Sequence, residues 1–237
     1  KNYLSFIIFF NKFILIYNYK IFSGLQEVLI FSLLIISSKY LNESKIGKND
    51  VNVFVLLLIM NILIWIKSEG IIFSITLMFI LILNDELSFK KKIFIFLGMV
   101  AIISFKKMFY IYLDFDLISQ PFYNLDFIIT LNSDEILSRI KYLFIYLSYY
   151  SIKNTFFILG VMILIFLNLN KTKILKTSHF NYYFLLNMLF IFSAYIFREM
   201  EIVYAIRTTL DRIVFMSSGF YLYLIFTFID NKINRLC

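Results

Sequence analysis

The chain has 237 residues, of which 61% are hydrophobic and 16% charged, with a formal net charge of +8. A soluble domain is nearer half apolar and a quarter charged, so this composition excludes an ordinary water-soluble globule and points to an all-α membrane protein. The sequence lacks the alternating apolar and polar residues of barrel strands. Cys237 is the only cysteine, which rules out an internal disulfide and a thiolate metal site. His179 is the only histidine, which removes a His-cluster metal centre and argues against a Ser-His-Asp triad.

The elements are read in chain order. Tyr3 to Tyr17 is an apolar run interrupted by Asn11 and Lys12. Leu25 to Ser38 is a second run, with Glu27 near its mouth. Lys39 to Asp50 reads as a polar loop. Val51 to Ile66 and Ile71 to Leu83 are two nearly charge-free runs on either side of Trp65-Ile66-Lys67-Ser68-Glu69-Gly70. Asn84 to Lys92 is a loop ending in three lysines, and Ile93 to Tyr112 is the fifth run, with Lys106 and Lys107 late in it. Leu113 to Glu135 is an acidic stretch outside the membrane that holds the only proline, Pro121.

Ile136 to Ser151 is apolar but broken by Ser138, Arg139, Lys141 and Ser148 and rich in tyrosine. That pattern predicts an amphipathic helix lying at the membrane interface rather than a span. After Lys153-Asn154, Thr155 to Leu169 is a span and Lys171 to His179 a basic loop. Tyr182 to Phe197 is a span, Arg198 to Arg212 a charged connection, and Ile213 to Ile229 the last span. The prediction is therefore a polytopic helix bundle of about eight spans with one exterior interfacial helix, forming a single helical domain over residues 1–237. The chain opens on Lys1 inside an apolar stretch, so an N-terminal part is expected to precede it.

The lysines sort by side. Lys39, Lys45 and Lys48, Lys90 to Lys92, Lys171 to Lys176, and Lys232 with Arg235 fall on one face, which the positive-inside rule makes cytoplasmic. Topology therefore explains the net charge, and nucleic acid is not an expected partner. The opposite face of the inner (plasma) membrane receives Glu27, the Lys67/Glu69 tip, the acidic stretch and the Arg198–Arg212 connection. Ionisable groups squeezed between apolar runs are costly and by default mark a site. The plainer readings are a polar hairpin tip for Lys67 and Glu69, and carboxylates favoured at helix starts for Glu27 and Asp211.

The order of features over 24–83 resembles the multi-pass GT-C glycosyltransferases, the class of the protein O-mannosyltransferases and the aminoarabinose transferases. In these an acidic residue at the outer face begins a span, and a later span rises to a Thr-Lys-x-x-Gly-like tip. Here Glu27 stands at the first position and Lys67-Ser68-Glu69-Gly70 at the second. Arg207-Thr208-Thr209-Leu210-Asp211-Arg212, followed by Phe215-Met216-Ser217-Ser218-Gly219, resembles a C-terminal motif of bacterial membrane proteins that share the Lys-x-Glu-Gly tip. The sequence departs from the family pattern in having Glu27 where Asp is usual and Ile66 where Thr is usual.

The resemblance implies sugar transfer from a polyprenyl-phosphate sugar to an acceptor at the outer face, with no metal cofactor and with membrane lipid as a partner. Its catalytic base is expected in an exterior loop upstream of Lys1. Developing charge on the leaving phosphate needs cations, for which Lys67, Arg207 and Arg212 are the candidates. Glu27, Glu69 and Asp211 complete the substrate-binding set. The alternatives are a transporter or flippase of lipid-linked sugars, a polymerase of them, and a membrane protein without chemistry. The missing pattern of Gly/Pro-interrupted spans counts against a transporter, and the acidic rather than Arg-rich exterior stretch counts against a polymerase.

Overall fold

A computed structural model of the chain describes residues 25–42, 50–113, 129–169, 178–199 and 201–236. Every regular element among them is helical: α1 (Leu25–Asn42), α2 (Asp50–Ile66), α3 (Ser68–Ile82), α4 (Phe89–Tyr112), α5 (Ser133–Lys153), α6 (Thr155–Leu169), α7 (Ser178–Ile196), α8 (Ile202–Ala205) and α9 (Asp211–Leu236). A π-helical turn, Ile206–Leu210, joins α8 to α9.

By length and composition two helices suffice to cross a membrane, Phe89–Tyr112 and the continuous stretch Ile202–Asp230, or three if the bent pair α5–α6 counts as one span. Helices α2, α3 and α6 have 17, 15 and 15 residues. At 1.5 Å per residue they reach roughly 22–26 Å, short of a hydrocarbon core of about 30 Å. The expected run Tyr3 to Tyr17 lies outside the described residues. Other expected boundaries move. Helix α1 continues through Lys39 to Asn42, because Leu41 is buried and the Asn42 amide donates to Ser38 O at 2.8 Å. His179, read as part of a basic loop, is buried in the first turn of α7. The Arg198–Arg212 connection is helical from Ile202 onward.

Helix α9 is the axis of the bundle. Val214, Met216, Phe220, Tyr221 and Leu224 are fully buried, and α1 and α6 are its main neighbours. In lipid, apolar burial does not drive helices together, so close packing and polar contacts must. Gly219 supplies the close packing: a Cβ there would lie 2.3 Å from the Phe31 carbonyl oxygen of α1. The rings of Phe31 and Phe215 stack alongside at 5.0 Å. On the α7 side, Tyr183 stacks on Phe220 at 3.9 Å, and the Ser217 hydroxyl is 3.2 Å from Asn187 Oδ1.

Helices α2 and α3 form an antiparallel hairpin whose only non-helical residue is Lys67, in extended conformation (φ −162°). Gly70 permits so short a turn, since a Cβ there would sit 2.0 Å from Leu63 O. The Ser74 hydroxyl, 2.9 Å from Met60 O, ties the two helices further down. The last carbonyls of α2 are served by α4, where Lys106 donates to Ile64 O. This is the favourable sign of charge for a helix C-terminus. Lys106, late in the fifth apolar run, thus serves as an internal cap. Trp65 meets Phe105 and Phe109 edge-on beside it.

Helix α5 begins with an Asn132-Ser-Asp-Glu135 cap, in which Asn132 Oδ1 accepts from Glu135 N at 2.8 Å. At its far end Asn154 Oδ1 accepts from Phe157 N at 3.1 Å and starts α6 as a separate helix. The chain turns by 98° between them. Arg139, one of the charges that break up this stretch in the sequence, is buried. It bonds Glu135 at 3.0 Å and donates to the carbonyls of Ile196 (3.4 Å) and Arg198 (2.9 Å), clamping α5 across the C-terminus of α7.

Candidate binding site

Glu27, in the first turn of α1, is nine-tenths buried at its side chain. Its Oε1 takes Lys67 Nζ from the α2–α3 tip at 2.8 Å and Arg212 Nη1 from the start of α9 at 3.3 Å. One carboxylate oxygen therefore joins three segments far apart in sequence. Glu69 adds a second carboxylate 3.6 Å from Lys67, and its other oxygen accepts from the Ser68 hydroxyl at 3.0 Å. The two carboxylates sit in the first turns of α1 and α3, where the helix dipole favours negative charge. Lys67 is one-fifth exposed and Arg212 nearly half exposed, so both keep donor capacity for a ligand.

These groups open into a cleft of about 550 Å³. Lys67, Ser68 and Glu69 form one polar wall. Arg198, Tyr195, Thr209 and Arg212 form the other. Ile71, Ile72, Phe190 and Ala194 continue both walls as an apolar slot. The hydroxyls of Tyr195 and Thr209 are 2.6 Å apart, and the phenol lies within electrostatic reach of Glu69, Arg198 and Arg212. The arrangement offers several cations to an anionic group and an apolar passage to whatever chain that group carries. Among the described residues no group of three or more His, Cys, Asp or Glu could hold a metal ion.

The π turn divides the Arg207–Arg212 motif between two faces. Thr209 and Arg212 face the cleft, whereas Arg207 and Asp211 are not among its lining residues. Arg207 is exposed and donates to the Tyr146 hydroxyl of α5 at 3.4 Å. Asp211 lies near Tyr150, whose phenol is pushed up by burial first and by that carboxylate next. Four of the six residues singled out in the sequence, Glu27, Lys67, Glu69 and Arg212, therefore come together, and the other two face α5. Sequence reasoning missed Tyr195, Arg198 and Thr209. Tyr195 lies in the last turn of α7, Arg198 just beyond its end and Thr209 in the π turn, so only the packing of these segments brings them to one cleft.

A smaller cleft of about 320 Å³, at the opposite end of the bundle, is lined by Leu83 to Glu86 and by Ser178, His179 and Tyr182. It holds none of the residues that the sequence points to.

No protein-family model, curated protein or solved structure matches the chain.

Proposed function

We propose that the protein is a multi-pass membrane glycosyltransferase that moves a sugar from a polyprenyl-phosphate carrier to an acceptor at the outer face of the plasma membrane. The observation that carries this reading is the pairing of Lys67 and Arg212 on Glu27 at the mouth of an apolar-walled cleft. A lipid-linked phosphate has the same two-part character, an anionic head on a hydrocarbon chain.

In this reading the acceptor hydroxyl oxygen attacks the anomeric carbon. The bond from that carbon to the phosphate oxygen breaks, and polyprenyl phosphate leaves with the electron pair. The acceptor's proton passes to a carboxylate base outside the described residues, as the GT-C resemblance implies. Lys67 and Arg212 stabilise the charge that grows on the phosphate, because preorganised donors in a water-poor site act most strongly where charge develops. Glu27 holds the two cations in place beforehand. The multi-pass arrangement of about eight spans belongs to this reading too. It sets the Lys-rich loops in the cytoplasm and the cleft at the exterior, with α5 along the outer surface.

The test uses membranes containing the full chain, a polyprenyl-phosphate sugar labelled in the sugar, and Lys67→Ala and Arg212→Gln variants shown to stay monodisperse in detergent. Label moving to acceptor in wild type, and falling by about 10²-fold or more in Lys67→Ala, supports transfer. Donor that becomes protected across the bilayer without transfer favours the flippase. No change of either kind rejects both.

A further inference from the structure

The bond between Tyr195 and Thr209 has a direction, and that direction decides what the cleft can recognise. Thr209 Oγ1 lies 2.8 Å from the carbonyl oxygen of Ala205. A carbonyl only accepts, so the Thr209 proton is committed to it. The Tyr195 proton is then committed to Thr209 across their 2.6 Å contact. The Tyr195 oxygen is left with lone pairs and no hydrogen to give. The neighbouring cations Lys67, Arg198 and Arg212 are donor-only, so the cleft presents a cationic group with a neutral acceptor beside it.

Thr209 is held in this role by its backbone. It belongs to the π turn, where the Thr208 hydroxyl also bonds the carbonyls of Tyr204 (2.9 Å) and Ala205 (3.1 Å). Hydroxyls thus supplement the backbone donors at a turn whose i→i+5 ladder is unusual and is found mostly at functional sites.

A phosphate alone engages the cations and brings no donor of its own to the buried phenol oxygen. A phosphate with a hydroxyl-bearing group attached satisfies both. We infer that Tyr195 is a specificity residue, accepting a hydrogen bond from a sugar hydroxyl next to the phosphate, and that Thr209 is the positioning residue that keeps the phenol an acceptor. The inference rests on the reading of the cleft as a lipid-phosphate site.

Two probes of equal charge separate the inference from that reading: farnesyl methyl phosphate, a diester without sugar, and glucosyl farnesyl phosphate. Binding of each is measured to the full chain in detergent. Wild type is expected to bind the glucosyl diester about tenfold more tightly, the worth of one well-made hydrogen bond. In Tyr195→Phe and in Thr209→Val that preference collapses, while binding of the sugarless diester shows that the cleft is still formed. Thr209→Ser, which keeps the hydroxyl, restores the preference. Equal binding of the two probes by wild type, or a preference that survives Tyr195→Phe, overturns the role of Tyr195 and leaves the lipid-phosphate reading standing. No binding of either probe by wild type overturns both.

Discussion

At the scale of single residues, Glu27 is the group on which the site depends. Its carboxylate is largely out of water and accepts from two cations through one oxygen. Removing one partner of such a buried arrangement costs more than the pair is worth, because the remaining charges lose their compensation. Glu27→Gln is expected to lower stability in detergent by about 1–3 kcal/mol, read as a drop in Tm. It is also expected to leave Lys67 and Arg212 with more uncompensated charge, so millimolar inorganic phosphate should raise the Tm of Glu27→Gln more than that of wild type. An equal phosphate response in the two proteins counts against an anion site here. Glu27, Lys67, Glu69 and Arg212 were legible in the sequence because a charge at the mouth of an apolar run is costly wherever it points. Tyr195 and Thr209 were not, because a hydroxyl at the end of an apolar run or in a charged connection is ordinary and gains meaning only from what it faces.

At the scale of elements, helix crossings and helix ends carry the fold. Gly219 lies where α9 meets α1 backbone to backbone, and any Cβ there must displace the Phe31 carbonyl. Gly219→Ala is expected to destabilise by about 1–3 kcal/mol, the usual range for overpacking. Gly98 on α4 has nothing within 4 Å of its would-be Cβ, so Gly98→Ala is expected to be neutral or to stabilise by about 0.5–1 kcal/mol through helix propensity. Thermal unfolding of the two variants side by side checks the contrast, and similar losses in both would refute it. Arg139 makes a different kind of joint, a planar fork shared between Glu135 and two carbonyls at the end of α7. An ammonium cannot reproduce that fork, so Arg139→Lys should unfold at a lower temperature than wild type, and a fully restored Tm would show that charge alone suffices. The right-angle turn at Asn154 was legible from the broken hydropathy of Ile136 to Ser151, which sets that stretch apart from the apolar run after it. The helix over Ile202 to Leu210 was not. Its charges read as a connection, and only burial of Ile202, Ala205, Ile206 and Leu210 against the bundle makes them one side of a helix.

At the scale of the whole molecule, the exposed surface is itself apolar. Helix α4 is almost bare: only 11% of its apolar window is buried, and Phe94, Leu97, Phe105 and Met108 all face outward. Along α5, Leu137, Phe144, Ile145 and Ile152 are exposed in the same way. In vesicles, with Cys237 replaced by Ser, spin labels at Leu137, Phe144 and Ile152 should report one shallow depth. Labels at Phe94, Val100 and Phe105 should differ in depth, with Val100 the deepest. Equal depth gradients along both helices would mean that α5 crosses rather than lies flat. The joint at Glu27 also has a consequence for how the protein is made. Glu27 and Lys67 are only 40 residues apart in the chain. Arg212 follows 185 residues after Glu27. With Glu69 beside Lys67, the early part of the cluster carries one carboxylate in excess, and its charge is balanced only when Arg212 docks with the last helix. A chain cut short of α9 is therefore expected to leave Glu27 with Lys67 as its one cationic partner in this joint.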